Sequence, residues 1–132
     1  MAEKISLGGL PVGGREPLIS TAVRWGDLLF LSGRAAVDTQ TLEPTSDDFE
    51  EQARFVLDEI VETLRGAGSG PEHVLRVECW LATETDFAAW NRIYAEYFPA
   101  PRPARTTLVT GFAVPGLRIE VQVTAGIPAA EP

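Results

Sequence analysis

Two stretches of the chain repeat their apolar residues at helical spacing, and the other patterned stretches alternate with period two. Phe49, Ala53, Val56, Leu57, Ile60 and Leu64 recur at steps of three and four, which places them on one face of a helix. Asp47 followed by Glu50 has the spacing of a capping box at its start, and Gly66 or Gly68 supplies a stop. A second helix is predicted from about Asp86 to Phe98, where Phe87, Trp90, Tyr94 and Tyr97 form an aromatic stripe and Pro99 forbids continuation.

The alternating segments predict strands. Leu75, Val77, Cys79 and Leu81 share one face, with Arg76, Glu78 and Trp80 on the other. Ile119, Val121 and Val123 oppose Arg118, Glu120, Gln122 and Thr124 in the same way. Leu28 to Leu31 is a short apolar strand with Ile19 to Trp25 as its expected partner, Arg105 to Thr110 is another, and Ile5 to Leu7 suits an edge. The order β-β-β-α-β-α-β-β predicts an α+β layer, a mixed β-sheet with two helices on one face. Trp80, Glu120 and Gln122 then look out from the opposite face, a mixed surface that favours an oligomer.

Glycine and proline gather at Gly8 to Gly14, Gly66 to Pro71 and Pro99 to Pro103, between the patterned segments, so they read as turns and residues 1–132 as a single domain. No apolar run approaches the ~18 residues of a membrane span, and Met1-Ala2-Glu3-Lys4 starts no secretory signal. The expectation is a soluble cytoplasmic protein. Eleven basic against nineteen acidic residues give a net charge of −8, and the ten arginines are scattered, which makes nucleic acid an unlikely partner.

Candidate chemistry is narrowed by what is missing. The single cysteine, Cys79, forbids an internal disulfide, and with the single histidine, His73, it makes no zinc site. No metal site is expected. The Gly8–Gly14 loop lacks the lysine and following helix of a phosphate cradle, and Ser32-Gly33 lacks the nucleophile-elbow pattern. His73 sits in a turn and reads as a surface residue. Cys79, on the apolar side of its strand, reads as a buried inert thiol, and the aromatic stripe reads as core. There remain Arg105, delivered to a strand by the rigid Pro101-Arg102-Pro103-Ala104 bend, and Glu120, the one acid in an otherwise β-branched strand. A guanidinium so held suits bidentate capture of a small carboxylate, and a lone carboxylate can position water or move a proton. The bland alternative is that the two pair with each other or with Arg118.

Leu28-Leu29-Phe30-Leu31-Ser32-Gly33, Phe87-Ala88-Ala89-Trp90-Asn91-Arg92-Ile93-Tyr94, the run from Tyr97 to Thr107 and Ile119-Glu120-Val121 together resemble the RidA/YjgF family of reactive-intermediate deaminases. The resemblance is collinear from about Ile19 to Ala125. It implies a chorismate-mutase-like fold assembled as a homotrimer, with active sites in clefts between subunits. It also implies cofactor-free hydrolysis of enamines and imines, of the 2-aminoacrylate or 2-iminobutanoate type, to 2-oxo acids and ammonia. On that resemblance Arg105 holds the substrate carboxylate and Glu120 orients water or shuttles a proton. Asn91, Ser32 and Gly33 line the site, and the Thr107 backbone makes a polar contact.

Three positions depart from the family pattern. Glu16-Pro17-Leu18-Ile19 stands where a Gly-Pro-Tyr stretch is usual, which puts Leu18 in place of the pocket tyrosine. Arg34 replaces a glutamine and either adds positive charge to the cleft or pairs with an acid outside it, and Thr107 replaces a cysteine. These departures keep two alternatives open: a specialised enzyme acting on another imine or enol substrate, and a non-catalytic trimer that binds small carboxylates. Some proteins of the family are described as ribonucleases, a role that the net charge of −8 disfavours.

Overall fold

A computed structural model describes residues 2–130. In chain order the strands are β1 (Ile5–Leu7), β2 (Leu10–Pro11), β3 (Pro17–Ile19), β4 (Ala22–Trp25), β5 (Leu28–Leu31) and β6 (Arg34–Ala35); then come α1 (Phe49–Gly66), β7 (Val74–Leu81), α2 (Phe87–Tyr97), β8 (Ala104–Val109) and β9 (Ile119–Gly126). One mixed sheet runs β1-β4-β5-β9-β7-β8, with β6 also paired to β9. All of its pairings are antiparallel except β7–β8, the two strands joined through α2. That connection is a βαβ crossover, which parallel neighbours require.

Both helices cover one face. The six apolar residues that define the α1 stripe are all buried, against Leu29, Leu31, Val77, Val121 and Val123 of the sheet. Asp48 caps α1, its carboxylate accepting the Glu51 N–H at 2.9 Å, one residue later than the Asp47 expected from the sequence. Ser46 Oγ accepts the Asp48 N–H and so sets which aspartate turns into the helix. Beyond α1 the chain reverses at Gly68, with φ of 83°, and the Ser69 N–H bonds the Leu64 carbonyl.

The expected strand from Ile19 to Trp25 is two strands. Ile19 ends β3, which pairs with β2 in a separate two-stranded ribbon, and β4 begins at Ala22. Between them Ser20 and Thr21 are held from the side, their carbonyls accepting Ser32 Oγ (2.7 Å) and the Ser32 N–H (3.1 Å). No helix among the described residues is long and apolar enough to cross a membrane.

Candidate active site

The bend before β8 is fastened to the end of α2. Arg102 donates from Nη1 to the carbonyls of Ala95 (3.0 Å) and Phe98, satisfying groups that the helix terminus leaves free. Arg105 therefore enters β8 opposite α2. Its Nη2 donates to Asn91 Oδ1 at 2.7 Å, and its guanidinium carbon lies 4.6 Å from the Tyr94 ring centroid, with Trp90 and Phe87 at 5.8 and 5.9 Å. Aromatic faces hold a cation without neutralising it. No carboxylate among the described residues pairs with Arg105, nor does any basic group pair with Glu120. The bland alternative is thereby removed, since Arg118 is bound instead to both oxygens of Asp86, at 2.8 and 3.0 Å.

Thr107 follows two residues on and shares the Arg105 face, where its Oγ1 accepts the Trp90 Nε1–H at 3.3 Å. β8 is an edge strand. The Thr110 N–H bonds Leu81 O at 2.9 Å, so by alternation the backbone N–H and C=O groups of Arg105, Thr107 and Val109 point out from the unpaired edge. A molecule lying along that edge meets a guanidinium and backbone donors together.

Glu120 is on the other side of the sheet. Arg105 is in register with Val77, and Val77 with Val123, all on the helix face, whereas Glu120 is in register with Trp80 on the open face. Glu120 is half-buried, and burial pushes its carboxyl above the usual carboxylate range. It lies against Gly33 so closely that a Cβ there would sit 2.8 Å from Glu120 Oε2. Gly33 thus provides the space that the carboxylate occupies. Together they belong to a pocket of about 300 Å³ walled by Ile19, Leu42, Phe112, Val114 and Leu117.

The remaining expected site residues divide. Ser32 is beside Gly33, its hydroxyl donating to Ser20 O. Arg34 borders the pocket, but its guanidinium turns to α1 and pairs with Glu59 at 3.2 Å, so it brings no positive charge to Glu120. The reason is register: Arg34 is opposite Val121, on the helix face. Leu18 is 74% exposed and outside the pocket, while its neighbour Ile19 lines it, as period-two alternation requires. Within the chain, then, Asn91, Arg105 and Thr107 gather at the β8 edge, and Gly33 and Glu120 gather in the pocket. The sequence reading missed that Tyr94 and Phe87 carry Arg105, although each lies about one helical turn from Asn91. It also missed the apolar walls of the pocket, several of which, Leu42, Phe112 and Val114 among them, come from turns with no periodicity.

Several known proteins are similar to this chain. The family model described as endoribonuclease L-PSP matches residues 16–127. The mitochondrial protein mmf2 of Schizosaccharomyces pombe is 39% identical over 107 residues, 79% of this chain and 83% of that protein. The chloroplastic Reactive Intermediate Deaminase A of Arabidopsis thaliana is 35% identical over 80% of this chain and 57% of its own length. A solved structure of a Rid-family protein from Yersinia pestis superposes with a TM-score of 0.82 at 25% identity, covering 95% of this chain and 100% of that one. With that fold and a family match over most of its length, the chain belongs to the endoribonuclease L-PSP family, the YjgF/RidA proteins.

Proposed function

We propose that this protein hydrolyses enamines and imines that carry a carboxylate, releasing a 2-oxo acid and ammonia without a cofactor. The observation that carries this reading is Glu120, a half-buried carboxylate without a basic partner, set in an apolar pocket where its proton affinity is raised. The availability of Arg105 for an anion and the name of the Arabidopsis relative support the same reading.

An enamine protonated on carbon becomes an iminium, and water then adds to its C2. Glu120 takes a proton from that water and passes it to nitrogen. The C–N bond breaks, the carbonyl forms and ammonia leaves, so iminium and water give 2-oxo acid and ammonium. Such intermediates already hydrolyse in water, and positioning plus one acid–base group worth ~10²–10⁴-fold is enough for an efficient catalyst. Arg105 and Glu120 stand on opposite faces of one chain, so a site using both is completed between subunits. In a homotrimer, Arg105, Asn91 and the Thr107 backbone of one subunit face Ser32, Gly33 and Glu120 of the next. The acidic net charge of −8 argues against RNA as the substrate, despite the family's descriptive name.

The test is ammonia and 2-oxo acid release from freshly generated 2-aminoacrylate and 2-iminobutanoate. The wild type should accelerate it. Arg105→Ala should lose most of its kcat/KM, and Glu120→Gln should lose roughly 10²–10⁴ in kcat. Binding of 2-oxo acids with no acceleration by the folded protein would replace the hydrolase by a carboxylate-binding regulator.

A further inference from the structure

The pocket around Glu120 is larger and more apolar than an imine of alanine requires. It measures about 300 Å³, whereas an apolar cavity of about 150 Å³ already holds a benzene ring. Its walls are contributed by separate parts of the chain: Ile19 from β3, Leu42 from the turn after β6, and Phe112, Val114 and Leu117 from the segment before β9. Besides Glu120 the polar side chains at this wall are Thr39 and Arg34, whose guanidinium is turned to Glu59, and the rest of the lining is mainly apolar.

Leu42 gives a second, independent observation. Its φ is 61°, the left-handed region, and it is the sole non-glycine residue there among the described residues. A leucine in that region costs ~1–2 kcal/mol relative to ordinary backbone, where glycine or asparagine would be accommodated more easily. The turn is built to hold it. The Leu42 N–H bonds Asp38 O at 2.7 Å, the Asp38 N–H bonds Glu43 O at 3.0 Å, and the Asp38 carboxylate accepts the N–H groups of Gln40 and Thr41. Gly13 opposite has no side chain, and a Cβ there would lie 3.0 Å from Leu42 Cδ1. Strained conformations persist where the surrounding structure enforces them, often at ligand sites, and here the result is an isobutyl group in the pocket wall.

We propose that this pocket receives the side chain of the substrate, and that the preferred substrate is a 2-imino or enamine acid whose side chain is apolar and of leucine or phenylalanine size. This assignment rests on the deaminase reading for its reacting group. Glu120 then meets C2 and nitrogen at the pocket's edge, while the side chain lies against Leu42, Phe112 and Leu117.

The experiment has two readouts on the full chain. Turnover is measured with freshly generated imines of alanine, leucine and phenylalanine, and binding is measured by calorimetry with the stable 2-oxo acids of the same three skeletons. The expected result is a rise in kcat/KM, and in affinity for the 2-oxo acid, of at least about tenfold from the alanine to the leucine skeleton. Leu42→Asn keeps a residue suited to positive φ, so it should leave the thermal transition no lower, yet reduce that preference severalfold. Turnover that is flat or falls with side-chain size overturns the pocket assignment and leaves the deaminase standing. Absence of turnover with graded binding overturns the deaminase and leaves the pocket assignment. A preference unchanged in Leu42→Asn, or binding that ignores size, overturns the assignment outright.

Discussion

Glu120 and Arg105 are two charges kept available by different physics. Arg105 is held by an amide oxygen and by aromatic faces, which fix its position and leave its charge whole. Glu120 is held by burial, which disfavours its charged form. Its folded-state pKa lies above the unfolded value, so the folded protein keeps that proton more tightly. Ionised Glu120 consequently costs stability, a cost absent below the unfolded pKa and fully present once pH exceeds the folded one. In a chain kept monomeric by Phe30→Glu, Glu120→Gln should therefore raise the thermal transition at pH 7, with the gain fading as pH falls toward about 4. A transition temperature compared across that range checks it, and equal values at neutral pH would contradict a destabilising carboxylate. Cys79, by contrast, is buried with its thiol pushed up to about 12, the inert behaviour expected from its side of the strand. His73 lies in the turn before β7 beside Glu72.

At the scale of elements, the pocket depends on how α1 holds two loops. Gln52 is fully buried on the apolar face of α1. Its Nε2 donates to Ser46 O (2.8 Å) and Gly116 O (2.9 Å), and its Oε1 accepts the Arg118 N–H at 2.9 Å. One amide thereby ties the capping loop of α1 to the segment that carries Leu117 and leads into Glu120. Gln52→Leu leaves those backbone groups without partners and should cost about 2–4 kcal/mol, lowering the melting temperature by about 10 °C. Calorimetric unfolding measures this directly; a change within error would mean that water replaces the amide. Periodicity could not find this residue, because a glutamine within a helix reads as a solvated position until the loops that meet it are known. The aromatic stripe of α2 was legible as a stripe, and Trp90 and Tyr94 are indeed buried. Its second task, carrying Arg105, depends on where β8 passes.

For the whole molecule the open face of the sheet is the unsatisfied feature. Trp25, Phe30 and Leu108 are 51%, 45% and 55% exposed there, around half-buried Trp80 and Glu120. Apolar surface of this extent is seldom left facing water, and a symmetric assembly is the economical way to cover it. Sedimentation or light scattering should give the mass of three chains. Phe30→Glu should lower that mass and abolish imine hydrolysis while helix and strand content remain. A fully active monomer would remove the inter-subunit site.

What the sequence determined by itself is much of the inventory and its alternation: α1 with its apolar face, the central strands, the α+β order, and the opposition of Glu120 to Val121 across β9. These follow from local periodicity, which the backbone imposes wherever a segment is helical or extended. At the start of β7 the alternation fails, since a bulge between Val74 and Arg76 buries Val74 and leaves the expected core residue Leu75 52% exposed. The split of the expected Ile19–Trp25 strand, the turning of Arg34 toward Glu59 and the exposure of Leu18 were decided only in three dimensions. So were the support of Arg105 by α2 and the apolar walls around Glu120, because each is a meeting of segments far apart in the chain. Contacts of that kind depend on strand register and loop path, which no local pattern encodes.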